Sequence, residues 1–153
     1  MLHLFKKNVP KFFSQDEQNA IVEAIRATEK RTSGEVRVFI ESKCRFMNAI
    51  DRAEELFYKL QMQHTQNRNG VLIYVALKHH QFALYADKGV YEKTGKDYWT
   101  TQASAILKHF HKGNYSAGIV EIIEEIGNTL SKYFPYDAAT NKNELPDDIV
   151  FGK

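Results

Sequence analysis

Cysteine is almost missing from this chain. Cys44 is the only one, which excludes an intramolecular disulfide framework and any CxxC metal or redox site. Proline occurs three times and glycine eight times in 153 residues, far below collagen-like or low-complexity compositions. No apolar run approaches the roughly 18 residues that a membrane span requires; the longest, Val71 to Leu77, stops at seven. An excess of one charge is missing too. Lys plus Arg is 21 against 19 for Asp plus Glu, a formal charge of +2, so no nucleic-acid partner is expected, because such binding needs a concentrated basic face. Met1 to Phe13 carries Lys6, Lys7 and Lys11 but no continuous apolar stretch, so a cleaved signal peptide is not expected and a cytoplasmic location is. What is present is 43% hydrophobic and 26% charged residues, the composition of one folded domain that buries about two-thirds of its unfolded surface.

Local signals order this domain clearly. Ser14 followed three residues later by Glu17 forms a capping box, and Ile21, Ala24, Ile25 and Thr28 then recur at helical spacing up to a stop near Thr32 and Gly34. Glu35 to Glu41 alternates with period two, placing Val36, Val38 and Ile40 on one face of a strand. A second helix follows Asn48, carrying Ile50, Ala53, Phe57 and Leu60. Gly70 then opens the unbroken run Val71 to Leu77, suited to a central strand covered on both faces. Strand, helix, strand predicts a parallel pair with a right-handed crossover. The link Lys78 to Gln81 is short enough to make Phe82 to Ala86 an antiparallel partner. A short helical turn over Val90 to Thr94 follows. A helix from Lys96 to Lys112 then carries Trp99, Ala103, Ile106, Leu107 and Phe110 up to Gly113, and a last helix capped by Ser116 ends before Pro135. The pattern predicts an α/β class fold, a three-layer α/β/α sandwich on a small mixed sheet, occupying residues 1–135. Residues 136–153 read as a polar tail pinned only by Ile149, Val150 and Phe151.

This topology brings distant residues together. The starts of the two parallel strands, Ser33-Gly34-Glu35 and Arg68-Asn69-Gly70, share one end of the sheet, and the antiparallel strand returns Asp87-Lys88-Gly89 to it. Glu35, Asn69 and Asp87 therefore cluster, with backbone carbonyls near Gly34, Gly70 and Gly89. Two carboxylates, an amide oxygen and carbonyls form an all-oxygen donor set that suits Ca²⁺, and Mg²⁺ less well because few acids on flexible loops do not impose octahedral geometry. The expected metal residues are Glu35, Asn69, Gly70 and Asp87, with Arg68 and Lys88 lining the cleft beside them. The same residues also admit a plainer arrangement, in which Glu35 and Asp87 cap turns and pair with Arg68 or Lys88.

The strings Thr32-Ser33-Gly34-Glu35-Val36, Asn67-Arg68-Asn69-Gly70-Val71-Leu72-Ile73 and Ala86-Asp87-Lys88-Gly89-Val90, with Trp99 and the closing Tyr133-Phe134-Pro135, resemble the TPM domain family over roughly Phe12 to Pro135. That family includes thylakoid-lumen acid-phosphatase-like proteins, photosystem II repair proteins and a worm receptor-modulating protein. The resemblance implies an α/β/α sandwich with a cleft at the end of its sheet and, as in some members, bound calcium. It matches Glu35 to the acid of the "SGE" motif, Asn69 to the asparagine of "RNG", and Asp87 to the acid before the glycine. It further implies a non-catalytic binding or assembly module acting on a membrane-associated protein partner, or, as in the plant-type members, a weak metal-dependent acid phosphatase. Many relatives carry a leader and a membrane anchor; from the apolar runs of these residues neither is expected here.

Other chemistry finds little footing. Cys44-Arg45 is not spaced to wrap a phosphate under a thiol, and no DxDx(T/V) or GxxxxGK(S/T) motif occurs. His79, His80, His109 and His111 share no metal-ligand spacing and are expected on a solvated surface. Thr65-x-Asn67-x-Asn69-Gly70 imitates half an EF-hand loop, but its first position is not acidic and its twelfth is Ala76. Trp99 is expected to pack with Ala103 and Leu107 against the sheet rather than to serve as a binding platform.

Overall fold

Strand β1, Glu35–Glu41, is buried at every position. Its apolar alternation accounts for one face only. The computed structural model, which describes residues 13–138 and 149–152, shows why the other face is buried as well. β1 lies inside a four-stranded sheet of order β3-β2-β1-β4 with helices on both sides. β2 (Gly70–Ala76) runs parallel to β1, pairing Glu35 with Gly70 and Glu41 with Ala76. β3 (Gln81–Ala86) returns antiparallel, pairing Val71 with Ala86. β4 (Ile149–Phe151) lies parallel on the other side of β1, Val38 opposite Ile149. The pin expected at Ile149, Val150 and Phe151 is thus a strand of the sheet; residues 139–148 fall outside the described part.

Alternation along the strands sorts the core into two layers. Val36, Val38, Ile40, Val71, Ile73 and Val75 face α1 (Gln15–Glu29), α4 (Lys96–His111) and α5 (Tyr115–Tyr133). Phe39, Leu72, Tyr74, Ala83 and Val150 face α2 (Ala49–Lys59). Short α3 (Lys88–Thr94) sends Val90 into the first layer. Five helices around a four-stranded mixed sheet, among the described residues, make the three-layer α/β/α sandwich that the sequence predicts. Each fully buried Ile or Leu contributes roughly 1.5–3 kcal/mol, so the thicker α1/α4/α5 layer carries most of the apolar stabilisation.

Local chemistry sets the helix ends. The capping box at α1 forms as expected: Glu17 N–H donates to Ser14 Oγ at 3.1 Å, and Ser14 N–H to Glu17 Oε1 at 3.0 Å. Ser116, however, does not cap α5. The helix begins at Tyr115 after Asn114, and the Ser116 hydroxyl instead donates to Glu17 Oε2 at 2.8 Å, tying α5 to α1. With Ser14 N–H, that bond holds the Glu17 carboxyl below its ordinary value. Gly113 ends the α4 region with φ +78, a left-handed conformation that glycine adopts without steric cost. Trp99 is buried, donating its indole N–H to Thr94 Oγ1 at 2.8 Å. Its buried companions on α4 are Gln102, Ile106 and Phe110; the expected companions Ala103 and Leu107 are both only half-buried.

Candidate functional site

The motif Thr32-Ser33-Gly34 is held by the far end of α5. Thr32 Oγ1 donates to the Phe134 carbonyl and accepts from Gly34 N–H at 3.0 Å, while Ser33 N–H donates to the same Phe134 carbonyl at 3.0 Å. This is why Tyr133-Phe134-Pro135 and the start of β1 occur as a set: they close on each other in space. Glu35 follows, buried, with its N–H donating to the Asn69 carbonyl at 3.2 Å.

The second loop, between α2 and β2, folds on itself. Arg68 N–H donates to the Thr65 carbonyl at 3.2 Å, and Asn69 N–H to the Thr65 hydroxyl at 3.1 Å. Arg68 takes a left-handed φ of +49, uncommon for a long side chain and costing of order 1 kcal/mol. That turn aims its guanidinium at Asp87, where Nε donates to Oδ2 at 2.7 Å and Nη2 to Oδ1 at 2.8 Å. Asp87 also caps α3, accepting from Lys88 N–H at 2.8 Å. The carboxylate pushes the Arg68 guanidinium still further above its usual range, and the bidentate geometry is the strong form of such a pair. Of the two cations expected beside the site, Arg68 therefore meets Asp87, whereas Lys88 is exposed.

Gly89 completes the closure. Its N–H donates to the Arg68 carbonyl at 3.0 Å, and a Cβ there would lie 2.2 Å from the Asn67 carbonyl oxygen and 2.6 Å from that of Arg68. Only glycine lets α3 approach the loop this closely. The register places Glu35 opposite Gly70, and Asp87 N–H donates to the Gly70 carbonyl at 2.9 Å. Glu35, Gly70 and Asp87 thus form a row across three adjacent chain segments. The carbonyls of Arg68, Asn69 and Gly70 each already accept a backbone N–H, so each retains one lone pair rather than standing free as the sequence suggests.

One atom in this region has no partner. Asn69 is 1% exposed, its Nδ2 reaches Ser33 Oγ only at 3.5 Å, and its Oδ1 is buried with no hydrogen bond. A buried amide oxygen without a donor costs about 1–3 kcal/mol. Asn69 stands just before β2, between the Glu35 and Asp87 segments, and its Oδ1 is a buried acceptor left open. No group of three or more His, Cys, Asp and Glu side chains is gathered for a metal among the described residues; any cation here would rely on mixed oxygen donors.

The opposite end of β1 and β2 carries a cluster that sequence reasoning missed. Buried Glu41 accepts from Arg52 Nε at 3.0 Å, from Arg52 Nη2 at 3.1 Å and from the Tyr74 hydroxyl. The Arg52 guanidinium also lies over the Phe39 ring, 5.9 Å from its centroid, and reaches Glu55 at 2.7 Å. Burial and the adjacent carboxylate push the Tyr74 hydroxyl well above its ordinary range, and Glu41 raises Arg52 further. Nearby, the buried Cys44 thiol donates to the Met47 carbonyl at 3.2 Å, so it serves the loop. The histidines expected on a solvated surface do have partners: His79 Nδ1 lies 3.0 Å from Cys44 N, His80 Nδ1 2.8 Å from the Tyr115 hydroxyl, and His109 Nε2 2.5 Å from Glu121.

Comparison with known proteins agrees with this architecture. The BA42 protein from the psychrophilic bacterium Bizionia argentinensis is similar, with 42% identity and a TM-score of 0.84 over 92% of this chain and 96% of that one. The fold recurs in the N-terminal domain of a P. gingivalis protein (17% identity, TM-score 0.69, over 80% of this chain and 78% of that one). It recurs again in the N-terminal domain of cg2496 from Corynebacterium glutamicum (8% identity, TM-score 0.63, over 92% of this chain and 81% of that one). None of the curated proteins matches the chain. The model of the TPM domain matches residues 8–129, the span that holds the SGE, RNG and ADKG loops just described, and the chain therefore belongs to the TPM domain family.

Proposed function

We propose that this TPM domain is a non-catalytic binding module whose amino-end loops take up Ca²⁺ and, so loaded, engage a protein partner. The observation that carries this reading is the buried, unpartnered Oδ1 of Asn69. Glu35 and Asp87 supply two carboxylates, and the Asn69 and Gly70 carbonyls each retain a lone pair, so the donors are uniformly hard oxygens. The Arg68 guanidinium pairs with Asp87. Its side chain is one-third exposed, so it can swing into water and leave the carboxylate to the incoming ion. Arg68 thus acts as the built-in counter-charge for Asp87, and cation uptake exchanges one positive partner for another. When bound, calcium would order the three loops and fix the shape of the cleft.

Titration calorimetry tests this directly. Calcium should give a saturable heat and raise the melting temperature, Mg²⁺ should do so far less, and a hundredfold excess over Kd corresponds to about 2.7 kcal/mol of added stability. Asp87→Asn and Asn69→Ala should each blunt the shift. No heat and no melting shift at millimolar calcium would remove the reading. Turnover of an aryl phosphate above that of the Glu35→Ala/Asp87→Ala variant, and sensitive to chelator, would replace it with phosphoester hydrolysis.

A further inference from the structure

The loop between β1 and α2, residues 42–48, stands at the carboxyl end of the sheet, about 20 Å along β1 from the Glu35 loops. Phe46 at its tip is 98% exposed and holds a left-handed φ of +70. Neither property is favourable for a phenylalanine: the ring forfeits its burial and the backbone is strained. The loop is nevertheless firmly built. Cys44 N–H donates to His79 Nδ1 at 3.0 Å, and the Cys44 thiol to the Met47 carbonyl at 3.2 Å. Lys78 N–H donates to the Ser42 carbonyl at 2.7 Å, and the Asn48 side chain caps α2. Phe46 is thus projected by a braced turn. Ile50, 64% exposed, and Met47 extend the apolar tip.

The charged side chains on the two loops at this tip are all basic: Lys43 and Arg45 flank Phe46 on its own loop, and exposed Lys78 lies on the adjoining β2–β3 link. Of the nearby acids, Glu41 turns inward to Arg52 and Tyr74 and Glu55 pairs with Arg52, while Asp51, bonded to Asn48, and Glu54 are exposed on α2 rather than on the two loops. A convex apolar tip ringed by cations on two separate loops complements a broad anionic surface with an apolar interior. We propose that this end of the domain docks on an anionic lipid bilayer, with Phe46 entering the boundary between headgroups and acyl chains and Lys43, Arg45 and Lys78 meeting lipid phosphates. The site is independent of the cation loops at the other end of the sheet.

Co-sedimentation of the full chain with phosphatidylcholine vesicles, with and without about 30% phosphatidylserine, tests the proposal. Binding should require the anionic lipid and weaken with salt. Lys43→Ala and Arg45→Ala should each lower the partition coefficient about fivefold, and Phe46→Ser more than tenfold, with an unchanged circular dichroism spectrum showing that the fold persists. Phe46→Trp provides a second reading, its emission moving to shorter wavelength with anionic vesicles only. Equal binding to neutral vesicles, binding that survives Phe46→Ser, or unmoved Phe46→Trp emission would overturn the proposal. So would a wild-type chain inert towards vesicles, which would leave the tip to a protein partner.

Discussion

The two ends of β1 solve the burial of charge in opposite ways. At the carboxyl end, Glu41 is closed in by two guanidinium bonds and a tyrosine hydroxyl, with Phe39 beneath the arginine. At the amino end, Asp87 is clasped by a partly exposed arginine, and a buried amide oxygen beside it has no donor at all. A satisfied network rigidifies a fold, whereas a partly satisfied one marks where something else belongs. The carboxyl-end cluster is therefore structural, and the amino-end loops are where the proposed cation would enter.

Substitutions that remove one partner at each end sharpen this contrast. Glu41→Ala should be the most damaging, since it strands the Tyr74 hydroxyl and leaves Arg52 only the exposed Glu55; urea unfolding should show a loss of about 3–5 kcal/mol. Tyr74→Phe should cost about 2 kcal/mol by removing a bond to a charged group, and it also changes the alkaline limb. A tyrosine whose folded pKa is raised contributes stability that is fully present below its unfolded value near 10 and is lost as pH rises beyond it, at about 1.4 kcal/mol per pH unit. The slope of stability against pH between about pH 10 and 11 should fall by one proton's worth in Tyr74→Phe, with Tyr85 and Tyr98, also raised by burial, supplying the remainder. Arg68→Ala at the other end should cost only about 1–2 kcal/mol, because its side chain is already partly in water. A loss matching that of Glu41→Ala would erase the distinction between the ends. Asn69→Ala should be smallest, within about 1 kcal/mol in calcium-free buffer, because the amide oxygen it removes makes no bond.

The sequence was most legible where one period dominated. Helices with apolar stripes, the buried run of β2 and the four-residue hairpin link fix the layers and the parallel-then-antiparallel order, and these in turn bring Glu35, Asn69 and Asp87 to one end. The pairing of Arg68 with Asp87 was open between two cations, because a left-handed turn at a non-glycine residue leaves no mark in composition. Ser116 misled for a related reason: its hydroxyl has a long-range choice, Glu17, which local capping rules do not weigh. The burial of Arg37 and Glu41 was hidden because period two in β1 names only the face that needs no polar partner. Three residues at 149–151 are too few to announce a strand by themselves; pairing with β1 defines them.

That pairing has a consequence for how the molecule comes together. Val38 meets Ile149 across 111 positions of sequence, whereas β1, β2 and β3 pair within a much shorter stretch. Contacts so distant form late, after their loop-closure entropy has been met. Until they do, one side of β1 offers a row of unpaired N–H and C=O groups between Val38 and Ile40, in a strand rich in valine, phenylalanine and isoleucine. Such an open edge recruits other extended chains. The nascent domain is thus most exposed to self-association during the interval before β4 arrives, and three residues near the end of the chain act as the guard on its central strand.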